Sequence, residues 1–293
     1  MTGRSGNNIW CISPMFDINK PTILLNSHID TVKPVSGWRK QPFTPKNENG
    51  KLYGLGSNDA GASLVSLFQV YRHLSMTTQS YNLIFLASCE EEVSGKNGIE
   101  SVLPQLPPIA LGVVGEPTEM QPAIAEKGLM VLDVTARGKS GHAARNEGEN
   151  AIYKLLPDIE WFRTYKFPKE SPILGPVKMS VTQINAGTQH NVIPDLCSIV
   201  VDIRSNECYS NEELFAEICK HIQSEAKARS FRLNSSSIPS DHPFVKRAIE
   251  LGKVPFGSPT LSDQALMPFP SVKMGPGKSS ARTPLMNTFS SVK

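Results

Sequence analysis

The sequence predicts an α/β protein in which a mainly parallel, buried sheet carries the chemistry and a second module interrupts it. Three observations support this. Short apolar runs recur at Ile23 to Asn26, Leu83 to Ala87 and Leu111 to Val114, separated by a helix or a long loop, as in parallel sheets covered on both faces. Each run gives way to a polar cluster at its carboxyl end, where open α/β sheets gather ligands. Beyond Glu126 the pattern becomes β-α-β-β-α-β, a split βαβ module.

Taken in order, Gly6 to Met15 reads as a strand and turn at a sheet edge. Lys33 to Asn49, with Pro34, Gly37, Pro42 and Pro45, reads as loop. Ala62 to Leu74 switches to helical period, with Leu64, Leu67, Phe68, Tyr71 and Leu74 on one face. Met130, Leu132, Val134 and Ala136 alternate with Val131, Asp133 and Thr135, a half-exposed strand. Asn150 to Phe162 is expected to be helical, and Val177 to Ile184 and Ser198 to Ile203 to be strands. Ser210 and Glu213 form a capping box before the stripe Leu214, Phe215, Ile218, Ile222. Phe231 to Leu233 is expected as the module's last strand, and Phe244 to Leu251 as a helix back in the first domain. The expected domains are 1–125 with 238–293, and an inserted 126–237.

The 293 residues are enough for about two domains. A net charge of +3 gives no argument for nucleic acid or an anionic membrane surface as partner. No run approaches the roughly 18 apolar residues of a membrane helix, and the first residues hold no apolar signal-peptide core. Five scattered cysteines without C-x-x-C spacing argue against a disulfide framework or a thiolate zinc site; reduced thiols and a cytoplasmic location are expected.

The chemistry-bearing residues are His28, Asp30, Asp59, Glu90, Glu91 and Glu116. One imidazole among several carboxylates, each just past a strand, suits one or two divalent ions such as zinc, manganese or cobalt. Two such ions about 3.5–4 Å apart would share a carboxylate and a water whose pKa falls towards 7. A carboxylate that is not a ligand could then take the proton. Gly54-Leu55-Gly56 with Gly61 lacks the Lys-Ser/Thr of a phosphate loop. His73, His221 and His242 have no acidic companions in the sequence and read as structural or exposed.

His28-Ile29-Asp30-Thr31-Val32, Gly56-Ser57-Asn58-Asp59-Ala60-Gly61, Glu90-Glu91 and Gly115-Glu116-Pro117-Thr118, in that order, resemble the M20 family of metallo-hydrolases, most nearly its acetylornithine deacetylase branch. The resemblance runs from about residue 7 to 278. It implies a two-metal catalytic domain, zinc-type, with an inserted dimerisation and lid domain. It also implies hydrolysis of an N-acyl amino acid of N-acetyl- or N-succinyl-ornithine type, as in arginine biosynthesis. A dipeptidase, carboxypeptidase or desuccinylase of the same family is the alternative. By motif, His28 and Glu116 would bind one metal, Glu91 the other, and Asp59 would bridge. Asp30 would orient His28, and Glu90 would be the general base. The run of three glutamates leaves a second register open, with Glu91 and Glu92 as the base and ligand pair. Ser140-Gly141-His142 resembles the loop whose His steadies the oxyanion across a homodimer. Asn191, in Gly187 to Pro194, and Arg204 resemble substrate-facing positions, Arg204 as a fork for a carboxylate.

The family also places a His ligand shortly after the stretch matched by Gly275-Pro276-Gly277-Lys278-Ser279-Ser280. Here Ala281-Arg282-Thr283-Pro284-Leu285-Met286-Asn287 follows, and no histidine occurs after His242. Codons for Arg-Ser-His-Thr-Ala-Asp-Glu, the tail expected in the family, yield all seven of these residues when read one base later. A frameshift after Ser280 is therefore expected, with a weakened second metal site and impaired catalysis. A leading helical segment usual in the family is missing as well. Loss at both ends would expose apolar sheet surface and lower stability.

Overall fold

The computed structural model describes residues 1–145, 147–279 and the backbone of 288–290. The remaining positions of the proposed frameshift lie outside the described residues. The chain divides into two compact units. One comprises 1–125, 237–258 and the residues from 262 onward; the other comprises 126–236 with 259–261.

The first unit is built on a nine-stranded sheet. Its spatial order runs Thr2–Ser5, Asn8–Ile12, Asn82–Ser88, Thr22–His28, Leu111–Val114, Ser271–Lys273, Ala123–Glu126, Ser236–Ser237, with Phe256–Ser258 pairing to Ala123–Glu126 off this path. The four strands from Asn82–Ser88 to Ser271–Lys273 are parallel, and antiparallel strands flank them. Alternation explains the apolar runs. Leu24, Ile84, Leu86 and Val114 pack on one face with Ile99, Val102 and Met267. Leu25, Leu83, Phe85, Leu111 and Val113 pack on the other with Tyr71 and Val245. Each such side chain taken out of water contributes about 1.5–3 kcal/mol.

The helix Ala62–Leu74 matches its predicted span. Tyr71 is buried and Leu64, Leu67 and Leu74 pack on the sheet, while Phe68 is a third exposed and lies against Phe85, ring centroids 5.1 Å apart. The strand expected to end at Asn26 runs on through His28, because Asn26, Ser27 and His28 are themselves buried in the sheet.

The second unit has a four-stranded antiparallel sheet in the order Lys178–Ala186, Leu196–Arg204, Met130–Arg137, Glu225–Ala228. Helices Ala151–Thr164 and Asn211–His221 place Leu155, Phe162, Leu214 and Ile218 in one core with Leu132, Val134, Ile199 and Val201. Both halves of the Ser210/Glu213 capping box are formed. The order β-α-β-β-α-β holds, with one correction. The last strand is Glu225–Ala228, whereas Phe231 to Leu233 is irregular. The buried Asn211 amide donates to the carbonyls of Leu129, Phe231 and Leu233 at 3.3, 3.3 and 2.9 Å, which takes acceptors a strand ladder would use. Glu-Ala-Lys-Ala carries little hydrophobic signal, and only contact with the core reveals it as a strand. All five cysteines are unpaired.

Candidate metal centre

The centre gathers at the carboxyl ends of the two central parallel strands. Thr22–His28 and Asn82–Ser88 pair so that His28 stands opposite Ser88. His28 therefore presents its imidazole at the sheet's rim, with its side chain only 1% exposed. Its Nδ1 lies 2.9 Å from the Asp30 backbone carbonyl. A carbonyl can only accept, so Nδ1 carries the proton and Nε2 is left to face the cluster. Around Nε2 stand Asp59 Oδ1 at 3.3 Å, Glu116 Oε1 at 3.6 Å and Glu91 Oε2 at 4.0 Å.

Two overlapping donor sets emerge, His28–Asp59–Glu116 and His28–Glu91–Glu92, each with its ligand atoms within 4.8 Å of one another. The Glu116 side chain is 2% exposed, and those of Asp59 and Glu91 are 13%. Burying several carboxylates around one imidazole is costly unless a cation balances them. The all-nitrogen-and-oxygen donor set fits one or two borderline divalent ions.

The electrostatics agree. Burial works to lower the His28 pKa, but the Asp30 and Asp59 carboxylates and then the charges of Glu116 and Glu91 push it up to about 12. Burial, then the neighbouring Glu116, drives Glu91 well above the usual carboxylate range, and burial with Asp59 raises Glu92. Against burial, His28 and the N–H groups of Glu92 and Glu91 hold Asp30 below it.

The sign for His28 follows from the raised value. In cation-free protein its stabilising contribution is fully present below its ordinary 6.5 and is lost as pH rises through about 12. Near neutrality a cation must displace that proton. Zinc binding by chelator-stripped protein at pH 7 is therefore expected to release at least one proton and to tighten as pH rises. Titration calorimetry in buffers of different ionisation enthalpy reads the proton count, and a buffer-independent heat would contradict the arrangement.

Asp30 plays a double part that the sequence did not reveal. Its carboxylate is 3.6 Å from His28 Nδ1, too far for a hydrogen bond. It instead accepts from the backbone N–H groups of Glu91 at 3.2 Å and Glu92 at 3.1 Å. Its carbonyl orients the imidazole, and its carboxylate sets the turn that presents both glutamates.

Glu90 is the residue the structure does not bring in. Its backbone is left-handed, φ 60°, and its carboxylate accepts from Asn97 N and Asn97 Nδ2, both at 3.1 Å. The structure brings Glu91 and Glu92, and not Glu90, to the His28 cluster, the other register that the run of three glutamates leaves open. Gly95 is the physical reason: a Cβ there would sit 2.0 Å from Glu90 Oε2, so the glycine opens the place where Glu90 folds back.

The segment after Ser271–Lys273 docks beside these ligands. Asn58, next to Asp59, donates from Nδ2 to the Lys278 carbonyl at 3.1 Å and accepts from Lys278 N at 3.3 Å. Gly277, φ 91°, lies against Asn58 Oδ1, where a Cβ would stand 2.3 Å away. Gly275 accepts from Thr118 N at 3.2 Å, just past Glu116.

In the second unit, His142 ends a two-residue strand paired with Val192–Ile193, and its Nδ1 accepts from Ala144 N at 3.2 Å. The Asn191 carbonyl accepts from Ala143 N at 3.0 Å. Arg204 forks onto Asp202 at 2.8 and 3.0 Å, so the guanidinium the sequence offered to a substrate carboxylate is held by a protein one.

The chain is similar to known proteins in sequence and in fold. Residues 124–230 match the model described as the M20 peptidase dimerisation domain. The chain is 31% identical over 192 residues to an acetylornithine deacetylase of Proteus mirabilis, covering 62% of this chain and 49% of the relative. It is 27% identical over 210 residues to a succinyl-diaminopimelate desuccinylase of Pelagibacter ubique, covering 67% and 55%. The chain thus spans about half the length of the curated relatives it matches. In fold it resembles the aminopeptidase PepT of Bacillus cereus, with TM-score 0.72, 20% identity, and 97% of this chain and 79% of that one covered. It also resembles the M20 metallo-carboxypeptidase Sso-CP2 of Sulfolobus solfataricus, with TM-score 0.71, 16% identity, and 97% and 83% covered. A Bacillus subtilis M20 protein described as a dinuclear metal-binding peptidase superposes with TM-score 0.63 at 17% identity, over 94% of this chain and 78% of that one. Among the described residues, no helix is long and apolar enough to cross a membrane.

Proposed function

We propose that this chain is a metal-dependent amidohydrolase that removes the acyl group from an N-acyl amino acid of N-acetyl- or N-succinyl-ornithine type. The observation that supports it most is the convergence of Asp59, Glu116 and Glu91 on His28 Nε2, with Glu92 in the same cluster. Zinc is the proposed ion, with cobalt or manganese as substitutes. A divalent ion there supplies Lewis acidity towards the scissile carbonyl and an attacking water.

The chain's own groups would then divide the work. From the sequence resemblance Asp59 would be the shared carboxylate, and His28 and Glu116 would hold one side. Glu92 would hold the other. Glu91, buried and pushed towards protonation, takes the proton of the attacking water and returns it to the leaving amine. From the sequence resemblance, His142 would steady the oxyanion, Asn191 would face the substrate, and Arg204 would exchange Asp202 for the substrate's α-carboxylate. A cytoplasmic homodimer formed through the inserted domain is proposed on the same basis, with a place in arginine biosynthesis.

A peptidase reading is kept because two of the solved neighbours are named as an aminopeptidase and a metallo-carboxypeptidase. Zinc- or cobalt-loaded protein offered N-acetyl-ornithine, N-succinyl-ornithine, N-succinyl-diaminopimelate and a set of dipeptides separates them. Turnover of the acyl-ornithines above all others is expected. Preference for a dipeptide would overturn the deacylase reading, and bound metal without any turnover would identify a catalytically impaired chain.

A further inference from the structure

On the two central strands, Leu24, Asn26 and His28 share one face by alternation, as do Ile84, Leu86 and Ser88. That face is apolar core at Leu24, Ile84 and Leu86 and turns polar one step before the metal centre. Behind the polar stretch lies Asp263, 4% exposed, against Asn26 and Ser88, both 0% exposed. Its Oδ2 accepts from Ser88 Oγ at 2.6 Å and from Asn26 Nδ2 at 2.8 Å.

We propose that Asp263 is a positioning residue for the centre, its carboxylate clamping together the carboxyl ends of the strands that carry His28 and the Glu91–Glu92 turn. The proposal rests on the metal reading given above.

The clamp joins the strands where their separation matters. Asn26 lies two residues before His28, and Ser88 stands opposite it. Immediately beyond, Ile29 N donates to the Ser88 carbonyl at 2.8 Å, so a shift of one strand end against the other moves the imidazole relative to both glutamates. Asp263 reaches in from a distant part of the chain and belongs to neither strand.

The turn carrying Asp263 does not need the carboxylate to hold its shape. Ser262 Oγ accepts from Gln264 N at 3.4 Å, Met267 N donates to the Gln264 carbonyl at 3.0 Å, and Gln264 Nε2 donates to Ser271 Oγ at 3.0 Å. Leu266 and Met267 anchor it in the core. Burying a carboxylate is costly. Burial raises the Asp263 pKa while the Ser88 and Asn26 hydrogen bonds hold it down. Outer partners that fix metal-binding side chains are placed in this way, and losing one typically costs about 10–100-fold in metal affinity.

The test is zinc affinity by chelator competition on the whole chain, with the cobalt(II) absorption spectrum and the melting temperature of stripped protein read alongside. Asp263→Ala is expected to weaken zinc binding by about 10–100-fold and to alter the cobalt spectrum. Asp263→Asn, whose amide oxygen can accept both hydrogen bonds, is expected to regain most of the affinity.

Asp158→Ala is the control for plain destabilisation. That buried aspartate accepts from Gln223 N and Ser224 N, both at 3.0 Å, in the second unit. Its loss is expected to lower melting while leaving zinc affinity unchanged.

Parental affinity and spectrum in Asp263→Ala would overturn the proposal, as would an Asp158→Ala variant that loses zinc equally. Should Asp263→Ala fail to fold, Ser88→Ala removes one of the two hydrogen bonds. Weaker zinc binding at unchanged melting then supports the clamp, and unchanged affinity overturns it. A parent chain that binds no zinc would instead sink the metal reading, and the clamp with it, a result distinct from variants that match a zinc-binding parent.

Discussion

Replacing His28 with alanine is expected to lower zinc affinity by more than the about 100-fold upper range seen when an outer partner is lost. The imidazole is the one nitrogen donor in both donor sets, so its removal degrades the whole centre. It also removes the imidazole on which Asp59, Glu91 and Glu116 converge, and taking one member out of a buried charged cluster is costly. The stripped variant should therefore melt below stripped parent near neutrality, since the raised His28 pKa makes its charged form stabilising there. Chelator competition and thermal melts read both effects. His73→Ala, at an exposed helical position, serves as the control expected to change neither.

The second large effect separates the three consecutive glutamates. A positioned proton acceptor contributes about 10²–10⁴-fold to turnover, so Glu91→Gln is expected to reduce kcat by that range with zinc still bound. Glu92→Gln should weaken zinc binding. Glu90→Gln should keep parental metal content and kcat, because the Glu90 carboxylate is spent on Asn97. A loss of kcat in Glu90→Gln equal to that in Glu91→Gln would favour the register with Glu90 as base.

The parts that were legible in the sequence are those with a hydrophobic pattern of their own. Leu24, Ile84 and Val113 announce buried strands because they lie in short, nearly unbroken apolar runs, and Ala62–Leu74 shows its helix through the spacing of Leu64, Leu67 and Tyr71. The proposed ligands His28 and Glu116 could be picked out because each sits at or just past the end of a strand.

What the sequence hid depends on turns and on distant contacts. A left-handed turn at Glu90 breaks the alternation of the preceding strand, so counting could not say which glutamates face inward. Gly95, two residues before Asn97, was the available signal. Asp30 carries its carboxylate to two backbone N–H groups, a role without any residue pattern. Asp263 lies in a stretch rich in Ser, Pro and Gly, more than 170 residues from either hydrogen-bond partner. The Glu225–Ala228 strand was missed because it forms by pairing with Met130–Arg137 rather than through its own hydrophobicity.

The central claim is that His28, Asp59, Glu116 and Glu92 hold catalytic cations at the rim of the parallel sheet, with Glu91 beside them as the base. Anomalous diffraction at the zinc edge, from crystals of zinc-loaded protein, tests it most directly. The expected result is a peak bonded to His28 Nε2 and to Asp59 and Glu116 oxygens, with any second peak against Glu92. Full zinc loading with the anomalous peak elsewhere and these four side chains without metal would contradict the account.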